Sequence, residues 1–230
     1  MNRLTEYKLV TIMLNTIIFD VDGTLIDTRP GIINAVQFVI DKYKLKQLNS
    51  EEFNRFVGFS PIQAAFHHFC GTDEEMSQIC SQEYRAKYKQ GDVFNAKVYN
   101  GIFELLDFLK QKKYKLGIAT YKRQDNIDEI AEYFGLCKYF DSICGADNNN
   151  KLTKSDIINN CIKSMDADKN YAVMIGDSIH DAGAANNLSI KFIGVTYGFG
   201  FKTQNDVNEY SNILSANTPL EILDFFKKEY

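Results

Sequence analysis

Strand-length apolar runs recur along this chain, and segments with helical periodicity separate most of them. The runs are Thr16–Phe19, Lys115–Ala119, Ser142–Cys144, Ala172–Ile175 and Lys191–Val195. Continuous apolar strands that alternate with amphipathic helices are typical of a parallel sheet covered by helices on both faces. The pattern therefore predicts an α/β fold with a doubly wound parallel sheet.

The segments between these runs have the spacing of amphipathic helices. In one of them, Leu105, Leu106 and Leu109 fall on a common face of a helix that starts near Asn100. Further helices are predicted over Ile127–Phe134, with Gly135 as a C-terminal cap, over Asp156–Met165 and Ala182–Leu188, and from Pro219 onward.

Residues 29–97 interrupt the alternation of strands and helices. They contain amphipathic helical stretches at Ile32–Tyr43, Ser50–Phe56, Pro61–Phe69 and Asp73–Lys89. A helical block inserted after the first strand is interpreted as a lid on the sheet. The predicted organisation is a core of residues 13–28 and 98–230, a helical cap of residues 29–97, and an N-terminal extension of residues 1–12.

Composition excludes several functional classes. The 26 basic and 30 acidic side chains give a net charge of −4, so no basic face favours nucleic acid. The apolar segment Leu9–Phe19 runs into acidic residues and is too short to span a bilayer, which takes about 20 residues. The five cysteines form no Cys-x-x-Cys pair and have no zinc-ligand spacing to histidine. A cytoplasmic protein with reduced thiols and no membrane contact is expected.

Two carboxylates end the first predicted strand. Asp20 and Asp22 stand at i and i+2, so both side chains point to the same side, and Gly23 lets the backbone turn sharply after them. Ligands of open parallel sheets bind at the carboxyl ends of the strands. Paired carboxylates repel each other unless a cation or a proton compensates them. This segment is the first candidate for a catalytic or metal-binding site.

The segment Asp20-Val21-Asp22-Gly23-Thr24 resembles the first motif of the haloacid dehalogenase superfamily of phosphotransferases. The three other motifs of that family have counterparts in the same order: Thr120 after a strand, Lys154 near a helix start, and the acidic segment Gly176–Asp181. The resemblance covers Ile17 to Asp181. It implies the α/β core of that family with an inserted helical cap, similar to the phosphoglycolate phosphatase branch.

The resemblance also implies a role for each matching residue. Asp20 would be the nucleophile that forms an aspartyl-phosphate, and Asp22 the general acid and base. Mg²⁺ would be bound by the Asp20 carboxylate, the Asp22 backbone carbonyl and Asp177.

Phosphoryl oxygens would be bound by the Thr120 hydroxyl, by backbone amides after the nucleophile, Gly23 among them, and by Lys154. Lys151 is the alternative candidate for the phosphate-binding role assigned to Lys154. Asp181 either binds the metal or, as we expect, holds Lys154 from a second layer.

The function implied by this resemblance is Mg²⁺-dependent hydrolysis of a small phosphomonoester, similar to phosphoglycolate phosphatase. Two alternatives remain: a phosphotransferase similar to phosphoglucomutase, and a non-catalytic protein of the same fold that binds a small molecule. The expected partner is a small phosphorylated metabolite, and the expected assembly is a monomer or a homodimer.

Overall fold

Six parallel strands form the main sheet in the computed structural model, which describes residues 14–59, 61–147 and 151–228. The strands in chain order are β1 Thr16–Phe19, β2 Ile26–Asp27, β3 Lys97–Val98, β4 Lys115–Arg123, β5 Ser142–Ala146, β6 Ala172–Gly176, β7 Lys191–Val195 and β8 Leu214–Ala216. The main sheet has the order β5-β4-β1-β6-β7-β8. The predicted extension, residues 1–12, lies outside the described residues.

Ten helices accompany these strands in the described part of the chain. They are α1 Arg29–Tyr43, α2 Ser50–Val57, α3 Ile62–Cys70, α4 Glu74–Lys89, α5 Ile102–Gln111, α6 Gln124–Tyr133, α7 Lys154–Ser164, α8 Ile179–Leu188, α9 Gln204–Asn208 and α10 Pro219–Lys228. Single turns of 3₁₀ helix occur at Asp92–Phe94 and Lys169–Tyr171. No helix of the described residues is both long and apolar enough to cross a membrane.

The strand β1 lies at the centre of the sheet and separates two apolar layers. Ile17 and Phe19 belong to the cluster that also contains the apolar face of α5, whereas Ile18 belongs to the cluster formed with α7 and α8. Successive side chains of a strand point to opposite faces, so this division means that both faces are covered. The predicted doubly wound α/β fold is confirmed.

Several strands differ from the sequence prediction: β2, β3 and β8 were not predicted, and β4 and β5 run past their predicted ends at Ala119 and Cys144. β4 continues past Ala119 to Arg123, with a shift in its register against β5 between these two residues. β8 was not predicted, because three residues that include a serine carry too little periodicity to reveal a strand.

The four helices α1–α4 fill the segment predicted as a cap. The chain enters and leaves this segment through the short ribbon of β2 and β3, in which Ile26 pairs with Val98 and Asp27 with Lys97. Local capping explains two of the helix starts. The Asn49 side chain and Glu52 form a capping box before α2, and the Asp73 carboxylate accepts a 2.8 Å hydrogen bond from the Met76 amide at the start of α4.

Candidate active site

Asp20 follows β1 directly and lies at the carboxyl end of the sheet. Its amide donates a 2.9 Å hydrogen bond to the Ile175 carbonyl of β6, which continues the ladder one residue beyond the strand. Its side chain lines a cavity of about 250 Å³ between the sheet and helices α1–α4, and the residue is only 8% exposed. A buried carboxylate at this edge of a parallel sheet is in the place where ligands of such sheets bind.

Lys154 forms a double ion pair at the centre of the site. Its Nζ lies 2.8 Å from Asp20 Oδ1 and 2.8 Å from Asp181 Oδ1. Burial lowers the pKa of Lys154, but the charges of Asp181 and Asp20 together raise it by a larger amount. The net pKa of Lys154 therefore lies above its ordinary value. The side chain is a fixed cation that contacts the predicted nucleophile.

The position of Lys154 results from the start of α7. Thr153 caps this helix and forms a capping box with Asp156, so Lys154 is the first helical residue, whereas the sequence had placed the helix start at Asp156. The competing Lys151 is exposed, and its amide donates to the Asp147 carboxylate outside the cavity. The geometry therefore favours Lys154 over Lys151 for the contact with Asp20.

Asp177 is held by a loop that the sequence analysis did not single out, Tyr197–Gly200. Asp177 Oδ2 accepts hydrogen bonds from the amides of Phe199 at 2.5 Å and of Gly200 at 3.0 Å. A Cβ atom on Gly198 would lie 2.4 Å from Asp177 Oδ2, and one on Gly23 would lie 2.2 Å from it. Two glycines at this contact let the backbone come within hydrogen-bonding distance of the carboxylate.

Asp20, Asp177 and Asp181 form a buried acidic cluster whose carboxylate oxygens lie within 4.8 Å of one another. Burial raises the pKa of Asp20 to about 6, with a further increase from neighbouring carboxylates and an opposing effect of Lys154. Burial and the charges of Asp181 and Asp20 raise the pKa of Asp177 to about 7. One lysine does not compensate three carboxylates, and clustered carboxylate oxygens are the ligands that Mg²⁺ prefers. The residues present therefore fit a divalent metal ion.

Asp22 points into the same cavity and is partly exposed. Its Oδ1 accepts a 2.6 Å hydrogen bond from the Thr28 hydroxyl and lies 3.2 Å from Lys122 Nζ. Lys122 also donates a 3.1 Å hydrogen bond to the Tyr88 hydroxyl of α4. The predicted acid/base residue is thus bound to a cation that touches the helical segment.

Thr120 and Gly23 complete the set of predicted residues. Thr120 lies inside β4, is 1% exposed, and its hydroxyl accepts a 3.2 Å hydrogen bond from the Lys122 amide. Gly23 has a φ of +76°, a conformation that favours glycine. The prediction that its amide binds a phosphoryl oxygen is wrong, because this amide donates a 2.9 Å hydrogen bond to the Ile26 carbonyl. The side chains of Asp20, Asp22, Thr120, Lys154 and Asp177 all line the one cavity.

The helical segment and the end of β4 supply the remaining walls of the cavity. Gly58, Phe59 and Pro61 line it between α2 and α3, and Tyr84, Arg85 and Tyr88 line it from α4. Tyr121, Lys122 and Arg123 follow Thr120 along the opposite wall. The sequence analysis did not identify Tyr84, Tyr88 or Thr28, because a tyrosine on a helix or a threonine before one carries no local pattern that points to a site.

Known proteins match most of this chain. A 5′-nucleotidase of Pseudomonas aeruginosa is 32% identical over 185 residues, which cover 80% of this chain and 83% of that protein. A pyrophosphatase, PpaX, of Bacillus pumilus is 30% identical over 186 residues, covering 80% and 84%. The crystal structure of a predicted phosphatase from Clostridium acetobutylicum has a TM-score of 0.84 and 33% identity, covering 94% of this chain and 99% of that one.

The match to a family model is equally extensive. The model described as haloacid dehalogenase-like hydrolase matches residues 17–195, which include all four motif positions from Asp20 to Asp181. The resemblance seen in the sequence is thereby confirmed. This chain belongs to the haloacid dehalogenase-like hydrolase family.

Proposed function

We infer that this protein is a Mg²⁺-dependent phosphatase that hydrolyses a small phosphomonoester through an aspartyl-phosphate on Asp20. The observation that carries the proposal is the contact of the buried Asp20 carboxylate with Lys154 Nζ, beside two further carboxylates and at the floor of a cavity. Family membership supports phosphoryl transfer, and relatives named 5′-nucleotidase and pyrophosphatase support a small phosphorylated substrate.

In the first step, a carboxylate oxygen of Asp20 attacks phosphorus while the bond from phosphorus to the leaving oxygen breaks. Asp22 gives its proton to that oxygen, so the leaving group departs as an alcohol. Lys154 and the Thr120 hydroxyl would bind the phosphoryl oxygens during this transfer. The product of the step is an aspartyl-phosphate and an ionised Asp22.

In the second step, water attacks the phosphorus of the aspartyl-phosphate. Asp22 accepts a proton from this water, and the bond between phosphorus and the Asp20 oxygen breaks. Inorganic phosphate leaves, and both aspartates return to their starting state.

Mg²⁺ would be held by the carboxylates of Asp20 and Asp177 and by the Asp22 backbone carbonyl. It would neutralise charge that otherwise keeps an anionic nucleophile away from an anionic phosphate. Asp181, through its ion pair with Lys154, would act from the second layer. The monomeric or dimeric state and the cytoplasmic location remain predictions of the sequence.

The test is phosphate release from a panel of small phosphoesters, with Mg²⁺ and with EDTA, by the native protein and by Asp20→Asn. The panel includes nucleoside monophosphates and phosphoglycolate, and the anhydride pyrophosphate is tested beside these esters. We expect many turnovers on at least one member, loss of turnover in EDTA, and loss of turnover in Asp20→Asn. Turnover that survives Asp20→Asn would refute the mechanism, and no release from any member would refute the function.

A further inference from the structure

The Asp22 carboxylate is held through a single oxygen atom. The Thr28 hydroxyl donates to Oδ1 at 2.6 Å, and Lys122 Nζ lies 3.2 Å from the same atom. Among the residues that the structure describes, none donates a hydrogen bond to Oδ2. Two donors therefore fix one oxygen, and the other oxygen is left to reach a phosphoester in the cavity.

The two donors link Asp22 to the two ends of the helical segment, although Lys122 itself belongs to β4. Thr28 immediately precedes α1, its side chain forms no capping hydrogen bond with the first turn, and its hydroxyl donates to Asp22. Lys122 Nζ lies 3.1 Å from the hydroxyl of Tyr88, in the last turn of α4, and 5.0 Å from the centre of its ring. The residue before α1 thus contacts this oxygen directly, and the end of α4 is linked to it through Lys122.

Lys122 is buried between these partners. Its side chain is 7% exposed, and the ring of Tyr88 is itself stacked on Tyr84 with a centroid distance of 5.5 Å. A lysine ammonium is costly to remove from water unless anionic or polar groups replace its hydration. Asp22 and the Tyr88 hydroxyl supply that replacement, so the position of Lys122 depends on both the core and α4.

We propose that Lys122 is a positioning residue that fixes the Asp22 carboxylate for proton transfer to the leaving oxygen. The Tyr88 hydroxyl, in the helical segment, holds Lys122 in place for this role. The inference rests on the proposed function, in which the Asp22 proton moves to the leaving oxygen as the bond from that oxygen to phosphorus breaks. A displacement of a reacting group by about 1 Å can cost on the order of a hundredfold in rate. Without Lys122, Thr28 is the one donor to the Asp22 side chain among the residues that the structure describes.

The test compares two substrates of nearly equal shape, phenyl phosphate and p-nitrophenyl phosphate. Phenolate is a strong base and needs a proton as it leaves, whereas nitrophenolate leaves readily without one. Values of kcat/KM report the steps up to formation of the aspartyl-phosphate. These steps include departure of the leaving group and therefore differ between the two esters, whereas the aspartyl-phosphate itself is the same. We expect Lys122→Met to lower kcat/KM for phenyl phosphate about a hundredfold, and for p-nitrophenyl phosphate by less than about tenfold.

Two further variants separate positioning from folding. Tyr88→Phe keeps the ring but removes the hydroxyl that holds Lys122, and it should produce a smaller loss with the same preference between the substrates. Lys89→Met is the matched control, since it removes the exposed ion pair of α4 with Asp125, and neither of these two residues lines the cavity. It should change neither substrate's kcat/KM by more than about threefold.

The outcomes distinguish the two proposals. If the native protein releases phosphate from neither ester nor any member of the panel, the proposed function fails and this inference fails with it. If the native protein is active and Lys122→Met lowers both values equally, only the positioning role fails. The same conclusion follows if Lys89→Met reproduces the difference between substrates.

Discussion

Replacing Lys154 with methionine is expected to destabilise the metal-free protein strongly. The variant keeps most of the apolar stem but removes the cation that lies 2.8 Å from both Asp20 Oδ1 and Asp181 Oδ1. The side chain of Lys154 is 4% exposed and that of Asp181 is fully buried, so water cannot replace the lost charge. The carboxylates of Asp20, Asp177 and Asp181 would then share a buried site without a cation.

The magnitude follows from the cost of an unpaired buried charge. Removing one partner of a buried ion pair typically costs about 3–5 kcal/mol. We expect this loss in the free energy of unfolding at pH 8. The loss should be smaller at pH 5, because protonation of Asp20, whose pKa is raised to about 6, removes one of the uncompensated charges.

The assay is urea unfolding in EDTA at pH 5 and pH 8, with free energies extrapolated to water. Lys110→Met is the matched control: its ion pair with Asp141 at 2.9 Å is partly exposed, and its loss should cost less than about 1 kcal/mol. If Lys154→Met cost no more than Lys110→Met at pH 8, the double ion pair would contribute no net stability, and the reasoning would be wrong.

Three further predictions concern the metal site. Gly198→Ala should raise the Mg²⁺ concentration for half-maximal activity at least about tenfold, because its Cβ would lie 2.3 Å from the Gly23 carbonyl oxygen. The control Gly183→Ala has open space around its Cβ and should not raise this concentration. Equal Mg²⁺ titration curves for the two variants would contradict the prediction. In thermal melts, Mg²⁺ should raise the melting temperature more at pH 8 than at pH 5. Asp20 and Asp177, with pKa values of about 6 and about 7, must lose their protons to bind the ion. An equal increase in melting temperature at both pH values would argue against these two residues as ligands. Asp181→Asn should lower kcat/KM but change the half-maximal Mg²⁺ concentration by less than about threefold; a tenfold increase would assign Asp181 to the metal.

Sequence reasoning located the parts of this molecule that have a local cause. The buried strands β1, β6 and β7 carry continuous apolar runs, and the structure places each within one residue of its predicted bounds. The motif around Asp20 and the acidic segment after β6 follow such strands directly. Because parallel neighbours in the sheet end at the same edge, these residues meet once the strand order is fixed.

The parts that escaped prediction depend on contacts between distant segments. The loop Tyr197–Gly200 reads as an ordinary glycine-rich turn, and only the tertiary fold brings its amides to Asp177. Lys122 reads as one cation in a short basic run at the end of β4, where a solvated position is usual. Its burial results from its contacts with Asp22 after β1 and with Tyr88 of α4, which no pattern in its own segment encodes.

The central place of β1 explains why one site can draw on so much of the chain. Strands β4 and β6 flank β1 in register, so Thr120 and Asp177 emerge on either side of Asp20. The start of α7 then brings Lys154 to Asp20 although 134 residues separate them. The contacts among Asp20, Asp177 and Lys154 bury charges that the unfolded chain would leave in water. The raised pKa values of Asp20 and Asp177 reflect the cost of this burial. A divalent cation bound there would remove the repulsion, so metal binding and the stability of the folded sheet should be coupled.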